Sequence, residues 1–372
     1  MIQTKKRKYN LKFTQMKTKV KIMAFLLFAT VFAVHNGAFA TVKTKNFSQN
    51  WAVSEVGTLE IINKYGDVRV TNNSGSQVTV NVVVTVDAPN ERRADELLGT
   101  INVNFSKIGN TVKAETNITE NLSILRNNNF VNSSKISSIN YTINIPSDKN
   151  LNISNKFGNT FVNVLNANGN FDIQYGNFKG NELKAPGQNN INFTLAYGKA
   201  EIDESNNINF DIKYSNLTMG ESQNLEVLSK YSVLKFEKTN LVNIDSRYDT
   251  FEFEEIQSVT AVTKFSNLRI RELKKSLKID AGYGGIKVDN VSQGFESISV
   301  ENSYGQIRIV LDGHNYLLDA SCNYCGISYP TEKFTGDKMQ RNTLQTVNGK
   351  VGTADGGKVY IRSRYGEIKL QR

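Results

Sequence analysis

The residues of this chain best equipped for chemistry are few. Cys322 and Cys325 have the C-x-x-C spacing of redox dithiols and of half a zinc site. A redox pair belongs at the start of a helix in a βαβ unit, and zinc requires further ligands; the setting LDASCNYCGISY offers neither. Two readings of the pair stay open: a disulfide across a corner, or two small corner residues. His314 is the one histidine outside the N-terminal leader, since His35 lies within it, and its DGHNY setting reads as a turn instead of part of a catalytic triad. Asp172, Asp211, Asp245, Asp280 and Glu301 each stand three residues before an aromatic. Polysaccharide-cleaving β-helices work through such outer-face acids, but a catalytic pair departs from its surroundings, whereas these acids follow a repeat. No catalytic residue, metal site or cofactor is therefore assigned.

Basic residues give the sharper pattern. Lys213, Lys230, Arg247 and Lys264 each immediately precede an aromatic residue and are 17 residues apart. Lys64, Lys156 and Arg364 repeat the arrangement, making seven of twelve such places. Like charges stacked at about 5 Å repel, so a row of this kind needs solvent, neighbouring acids or an anionic partner. Lysine on strands also guards sheet edges against aggregation. Both readings follow from the spacing: edge protection, or a binding row for an anionic surface glycan or another envelope component.

The elements that would position these side chains are repeats. INFDIKYSNLTM, LEVLSKYSVLKF, VNIDSRYDTFEF and VTAVTKFSNLRI place Tyr214, Tyr231, Tyr248 and Phe265 at a constant interval, and each reads as alternating apolar residues, an aromatic, a small or turn-prone residue, then alternation with its parity flipped. Alternation means a strand with one buried face, and a parity flip at a fixed place means a corner. Tyr65, Phe157, Tyr175, Tyr197, Tyr283, Tyr304, Tyr324 and Tyr365 mark further copies; from Phe157 onward the intervals are 17–22 residues, except for a 41-residue gap before Tyr365, where a copy near Val347–Val351 is expected to have lost its aromatic. Repetition at this period predicts an all-β chain, a right-handed parallel β-solenoid. One coil alone cannot repay the roughly 1–2 kcal/mol per residue that ordering costs, whereas stacked coils share a core. The aromatic ladder matches the core parity, so inward packing between coils is expected, with a surface track for sugar rings as the other reading. Gly66, Gly158, Gly176, Gly198, Gly284, Gly305 and Gly366, just after the aromatics, are expected to supply positive φ.

Residues 1–40 read as a signal peptide: eight Lys or Arg and no acid precede the apolar run Ile22–Val34, and Ala38-Phe39-Ala40 offers a cleavage site. Translation from Met16 would give a leader of ordinary length. Residues 41–147 read as an entry and capping region with a first repeat, a helix over 88–98 capped by Asp87 or Asn90, and an exposed loop at Asn121–Ser137. Residues 148–372 read as regular coils. Eight of the 45 basic residues belong to the leader, leaving 37 against 35 acids, so the charge gives no support to a nucleic-acid partner. No transmembrane segment is expected in the mature chain.

The units KYGDVRV and KFGNTFV, the ERRADELL helix and the YTINIP segment resemble the bacterial putative-adhesin family of β-strand-repeat envelope proteins, a domain of unknown function. The resemblance implies a β-solenoid in the envelope, in the periplasm, on the cell surface or secreted. It leads to the expectation of a non-enzymatic protein that scaffolds or binds surface polymers. A polysaccharide lyase or hydrolase on the same fold and an envelope-stress accessory protein are the alternatives.

Overall fold

Each regular coil is shaped by the spacing of its buried residues. In the strand Asn216–Lys230 these are Leu217, Met219, Ser222, Leu225, Val227 and Ser229. Two-residue steps keep the chain extended, and the three-residue steps around Ser222 turn it between two flat runs. The next strands, Val233–Arg247 and Thr250–Lys264, repeat this layout. They pair in parallel with one-to-one register, so Leu217 lies on Leu234, Met219 on Phe236 and Val227 on Ile244. Like side chains thus stack on like, and inside the core Phe236 and Phe253 lie 4.7 Å apart between ring centroids. Each fully buried large apolar side chain contributes about 1.5–3 kcal/mol, shared across layers.

The computed structural model describes residues 41–119, 135–353 and 355–371. The coils wind into a parallel β-solenoid of about 9 turns, with a single α-helix among the described residues. The helix spans Glu91–Gly99, and the Asn90 side chain caps it by accepting from the Arg93 N–H at 3.0 Å. Its start is later than the sequence suggests because Ala88 is still in the strand Gln77–Ala88. Ala94, Leu97 and Leu98 form its buried face. Of the loop expected at Asn121–Ser137, residues 121–134 lie outside the described residues, and 135–137 already belong to the strand Lys135–Asn144.

Both ends abandon the parallel pattern. At the N-terminal end, Thr41–Ala52 runs antiparallel to Gln77–Ala88, which runs antiparallel to Lys135–Asn144; that strand joins the stack through Val68–Thr71. The hairpin Ile101–Ile108 and Thr111–Ile118 joins the other sheet beside Thr58–Lys64.

The C-terminal end corrects the sequence reading. Residues 347–351 are not a coil that lost its aromatic: Phe334–Arg341 and Leu344–Val351 form an antiparallel hairpin lying against Tyr316–Asn323. The last coil, Gly357–Arg364 and Ile368–Lys369, then inserts between two earlier ones. It pairs in parallel with Ser297–Tyr304 on one side and with Tyr316–Asn323 on the other. The 41-residue gap is thus a capping excursion followed by a return into the stack.

Candidate functional site: the aromatic corner and its cations

At the corner between the two flat runs, residues 229–234 alternate in an unexpected way. Ser229 is buried, Lys230 is half-buried, Tyr231 is exposed, Ser232 is buried, Val233 is exposed and Leu234 is buried. The parity flip therefore falls between Ser229 and Ser232, and the aromatic lies outside it. The expected inward ladder is overturned: the corner rings are between 37% and 58% exposed. Backbone conformation is the reason. Counting by twos assumes an extended chain, but ten of the twelve corner aromatics have φ between 51° and 67°, and this left-handed turn swings the ring outward.

The rings nevertheless form a continuous stack. Eleven stacked contacts, with centroids 4.6–5.4 Å apart, join twelve rings in the order Tyr65, Phe157, Tyr175, Tyr197, Tyr214, Tyr231, Tyr248, Phe265, Tyr283, Tyr304, Tyr365 and Tyr324. Tyr365 precedes Tyr324 because the last coil is the inserted one. A left-handed backbone costs an L-residue about 1–2 kcal/mol, and an aromatic contact returns about 0.5–1.5 kcal/mol beyond its burial. Each contact is shared by two rings, so the stack returns about one contact per ring and offsets a large part of this strain.

The glycines after the rings have a different role from the one expected. Positive φ falls on the aromatic itself; only Gly284 and Gly305, after Tyr283 and Tyr304, adopt it in the ring's place. At Gly158 and Gly176 the constraint is space: an added Cβ would lie 1.8 and 1.9 Å from the carbonyl oxygen of the coil below. Where the coil carries serine instead, its hydroxyl joins the hydrogen bonding, as when Ser232 Oγ accepts from the Ser215 N–H at 3.2 Å. Asp249 occupies the same buried place. Burial pushes its carboxyl above the usual value, opposed by hydrogen bonds donated by the Ser229 hydroxyl, the Ser232 N–H and the Arg247 N–H. Residue-type reasoning missed this acid because it follows its aromatic, where the other coils have glycine or serine and, after Tyr324, Cys325.

The basic row is assembled by register. Lys213 pairs with Lys230, Lys230 with Arg247, and Arg247 with Lys264, so four cations occupy four successive layers beside the exposed rings. Lys213 Nζ meets Asp211 at 2.9 Å. The places equivalent to Asp211 in the next coils hold Leu228, Asp245 and Val262, so the acids do not occur in every coil. Leu228 and Val262 are 44% and 50% exposed, which leaves Lys230 and Lys264 beside apolar surface. Farther along, Lys64 Nζ lies 4.8 Å from the Tyr65 ring, and Lys156 Nζ lies beside the stacked pair Phe157 and Tyr175, 5.3 and 5.5 Å from their centres. The corner is thus a stripe of ring edges and phenol hydroxyls bordered by cations.

The remaining sequence candidates are dispersed. Cys322 and Cys325 are disulfide-bonded across the corner of their own coil, with Cα atoms 5.3 Å apart. His314 is buried in its turn, edge-on to Phe295 at 5.8 Å. Among the described residues, no group of three or more His, Cys, Asp or Glu side chains is placed to hold a metal ion. No helix among them is long and apolar enough to cross a membrane.

With this geometry in view, known proteins offer a fold likeness. No family model and no curated protein matches the sequence. The chain is similar in structure to bacterial adhesin-like proteins. A putative cell adhesion protein from Clostridium sporogenes is 9% identical, with 88% of this chain and 99% of the other covered, at a TM-score of 0.20. A putative adhesin from Bacteroides fragilis is 12% identical, with 88% and 97% covered and a TM-score of 0.29. A putative lipid binding protein from Parabacteroides distasonis is 11% identical, with 71% and 96% covered and a TM-score of 0.30. None of these is named as an enzyme. At such identities and scores the likeness carries no argument about activity or ligand.

Proposed function

We propose that this protein is a non-enzymatic, exported β-solenoid of the bacterial envelope that works as an adhesin-like binder of extended anionic polymers, with acidic surface glycans as the ligand class. The observation that carries this reading is the unbroken register of Lys213, Lys230, Arg247 and Lys264 beside a stripe of exposed rings. A polymer lying along the stripe meets one cation per layer and replaces their mutual repulsion with pairing. Ring geometry limits how sugars could engage. Stacking on an aromatic requires a free face, and every interior ring of the ladder has both faces against neighbours. Attraction along the stripe is therefore mainly electrostatic, supplemented by hydrogen bonds from the phenol hydroxyls, and salt screens it.

The test is retention on immobilised polygalacturonate and on isolated envelope material across a salt series. Converting all four cations to Gln should weaken retention several-fold at low salt, and the difference should vanish at high salt, where the parent is already weak. Equal retention of parent and folded variant at low salt would reduce the row to edge protection.

A further inference from the structure

The regular coils present nearly the same surface layer after layer, and the repeat fails at the C-terminal end. There the parallel stack meets the antiparallel hairpin, and Leu317, Asp319, Asn348, Lys350, Lys358 and Tyr360 surround a depression of about 580 Å³. That volume is within the range of small-molecule sites. We propose that this depression is a second binding site, separate from the aromatic corner, for a single carboxylated sugar unit such as the acidic end of a glycan.

Its charges are built in two parts. Arg362 donates to one carboxylate oxygen of Asp319 at 2.9 Å and forms an ion pair with the other at 2.9 Å, and its guanidinium lies 4.0 Å from the centre of the Tyr360 ring. Asp319 and Arg362 neutralise each other and hold the ring in place. Lys350 and Lys358 have no ion-pair partner of this kind among the described residues. Both are register partners of Leu317, one on each side, and Leu317 is 38% exposed between them. Two ammonium groups therefore border an apolar floor.

The two strands of the hairpin approach each other closely beside the depression. Gly349 faces Gly336 across its two strands, and a Cβ on either would lie 2.4 Å from a backbone oxygen of the opposite strand. Both glycine positions share the core-side face with Leu318 and Phe334, whereas Asn348 and Thr335, on the opposite parity, stand at the rim of the depression.

These groups fit a pyranose carboxylate better than its simpler relatives. The sugar's apolar face covers Leu317 and the Tyr360 ring, the Asn348 amide and the Thr335 hydroxyl meet its hydroxyls, and the carboxylate lies between the two lysines. A neutral sugar leaves both ammonium groups without a counter-charge. A bare carboxylate leaves the apolar floor uncovered. Recognition thus requires both halves of the ligand.

The experiment is ligand-observed NMR titration of the whole chain with sodium glucuronate, glucose and sodium acetate. Saturable glucuronate binding is expected, at least tenfold tighter than that of either control. The Lys350→Gln/Lys358→Gln variant should lose at least tenfold in glucuronate affinity with an unchanged melting temperature, and the exposed single change Lys358→Gln serves if the double variant fails to fold. The four-cation Gln variant of the aromatic corner should bind glucuronate as the parent does, so failure here and failure of the corner are read separately. Absence of saturable glucuronate binding, equal binding of acetate, or full affinity in the folded lysine variant would each overturn the site.

Discussion

A single corner residue shows how backbone strain and surface display are coupled. Tyr231 has a φ of 55° and contacts Tyr214 and Tyr248 at 4.9 and 4.8 Å. Replacing it with Ala keeps the left-handed backbone cost and loses two ring contacts, a loss of about 1–3 kcal/mol. Glycine relieves that cost, so Tyr231→Gly should be about 1 kcal/mol more stable than Tyr231→Ala in denaturant unfolding. A buried core aromatic would give the opposite order, because glycine would add backbone entropy to the same lost packing. Asp249 offers a second residue-scale test. Its folded-state pKa is raised by burial, so as pH rises past the ordinary value of 3.8 the unfolded chain releases its proton first. Stability therefore falls as pH rises from there through the folded pKa and levels off above it. Asp249→Ser, the residue found at the equivalent corner of the neighbouring coils, should raise the melting temperature at pH 7, and its advantage should shrink as pH falls below that window. An advantage that does not change with pH would remove burial of charge as its cause.

At the scale of the coil, close backbone approach is the sensitive feature. Gly176→Ala places a Cβ against the Gly158 carbonyl oxygen, whereas a Cβ on Gly326 meets nothing within 4 Å. The first change should cost several kcal/mol by the usual measure of core overpacking, about 1–3 kcal/mol or more, and the second should be near neutral. Equal melting temperatures for the two would show that the coils slide apart easily. The disulfide belongs to this scale because it joins the two sides of one corner. Changing Cys322 and Cys325 to Ser should cost no more than a few kcal/mol and leave bound-metal content, measured by elemental analysis, unchanged. Much at this scale was legible in the sequence: alternation placed Leu225, Val227, Leu234 and Phe236 in the core, and the constant interval set the register. Ring orientation was not legible, because a period-two count cannot register a left-handed residue. The Asp319–Arg362 pair was equally hidden, since it joins strands 43 residues apart that become neighbours only when the last coil inserts.

Across the whole molecule, the balance between a stackable middle and ends that resist stacking governs behaviour. A parallel solenoid would extend indefinitely if its last coil exposed a free parallel edge. Here the final layer of one sheet meets an antiparallel strand, Leu344–Val351 against Tyr316–Asn323, and the outermost strand, Phe334–Arg341, carries Asp337, Lys338 and Arg341 on exposed positions. The reversal of direction ends the regular register, and the charges disfavour pairing with another chain. Replacing residues 331–355 with a short Gly-Ser linker would remove this cap while allowing the last coil to insert. The layer at Tyr316–Asn323 would then present an unpaired edge bearing the register of the coils themselves. Such a variant should keep the strand signal in circular dichroism but form concentration-dependent assemblies in light scattering, and the parent should show no such dependence under the same conditions. Restoring charge at the bared edge by Leu317→Lys, which adds an outward cation, should reduce the assembly. A capless variant that scatters like the parent at every concentration would mean that sheet curvature, and not the hairpin, terminates the stack.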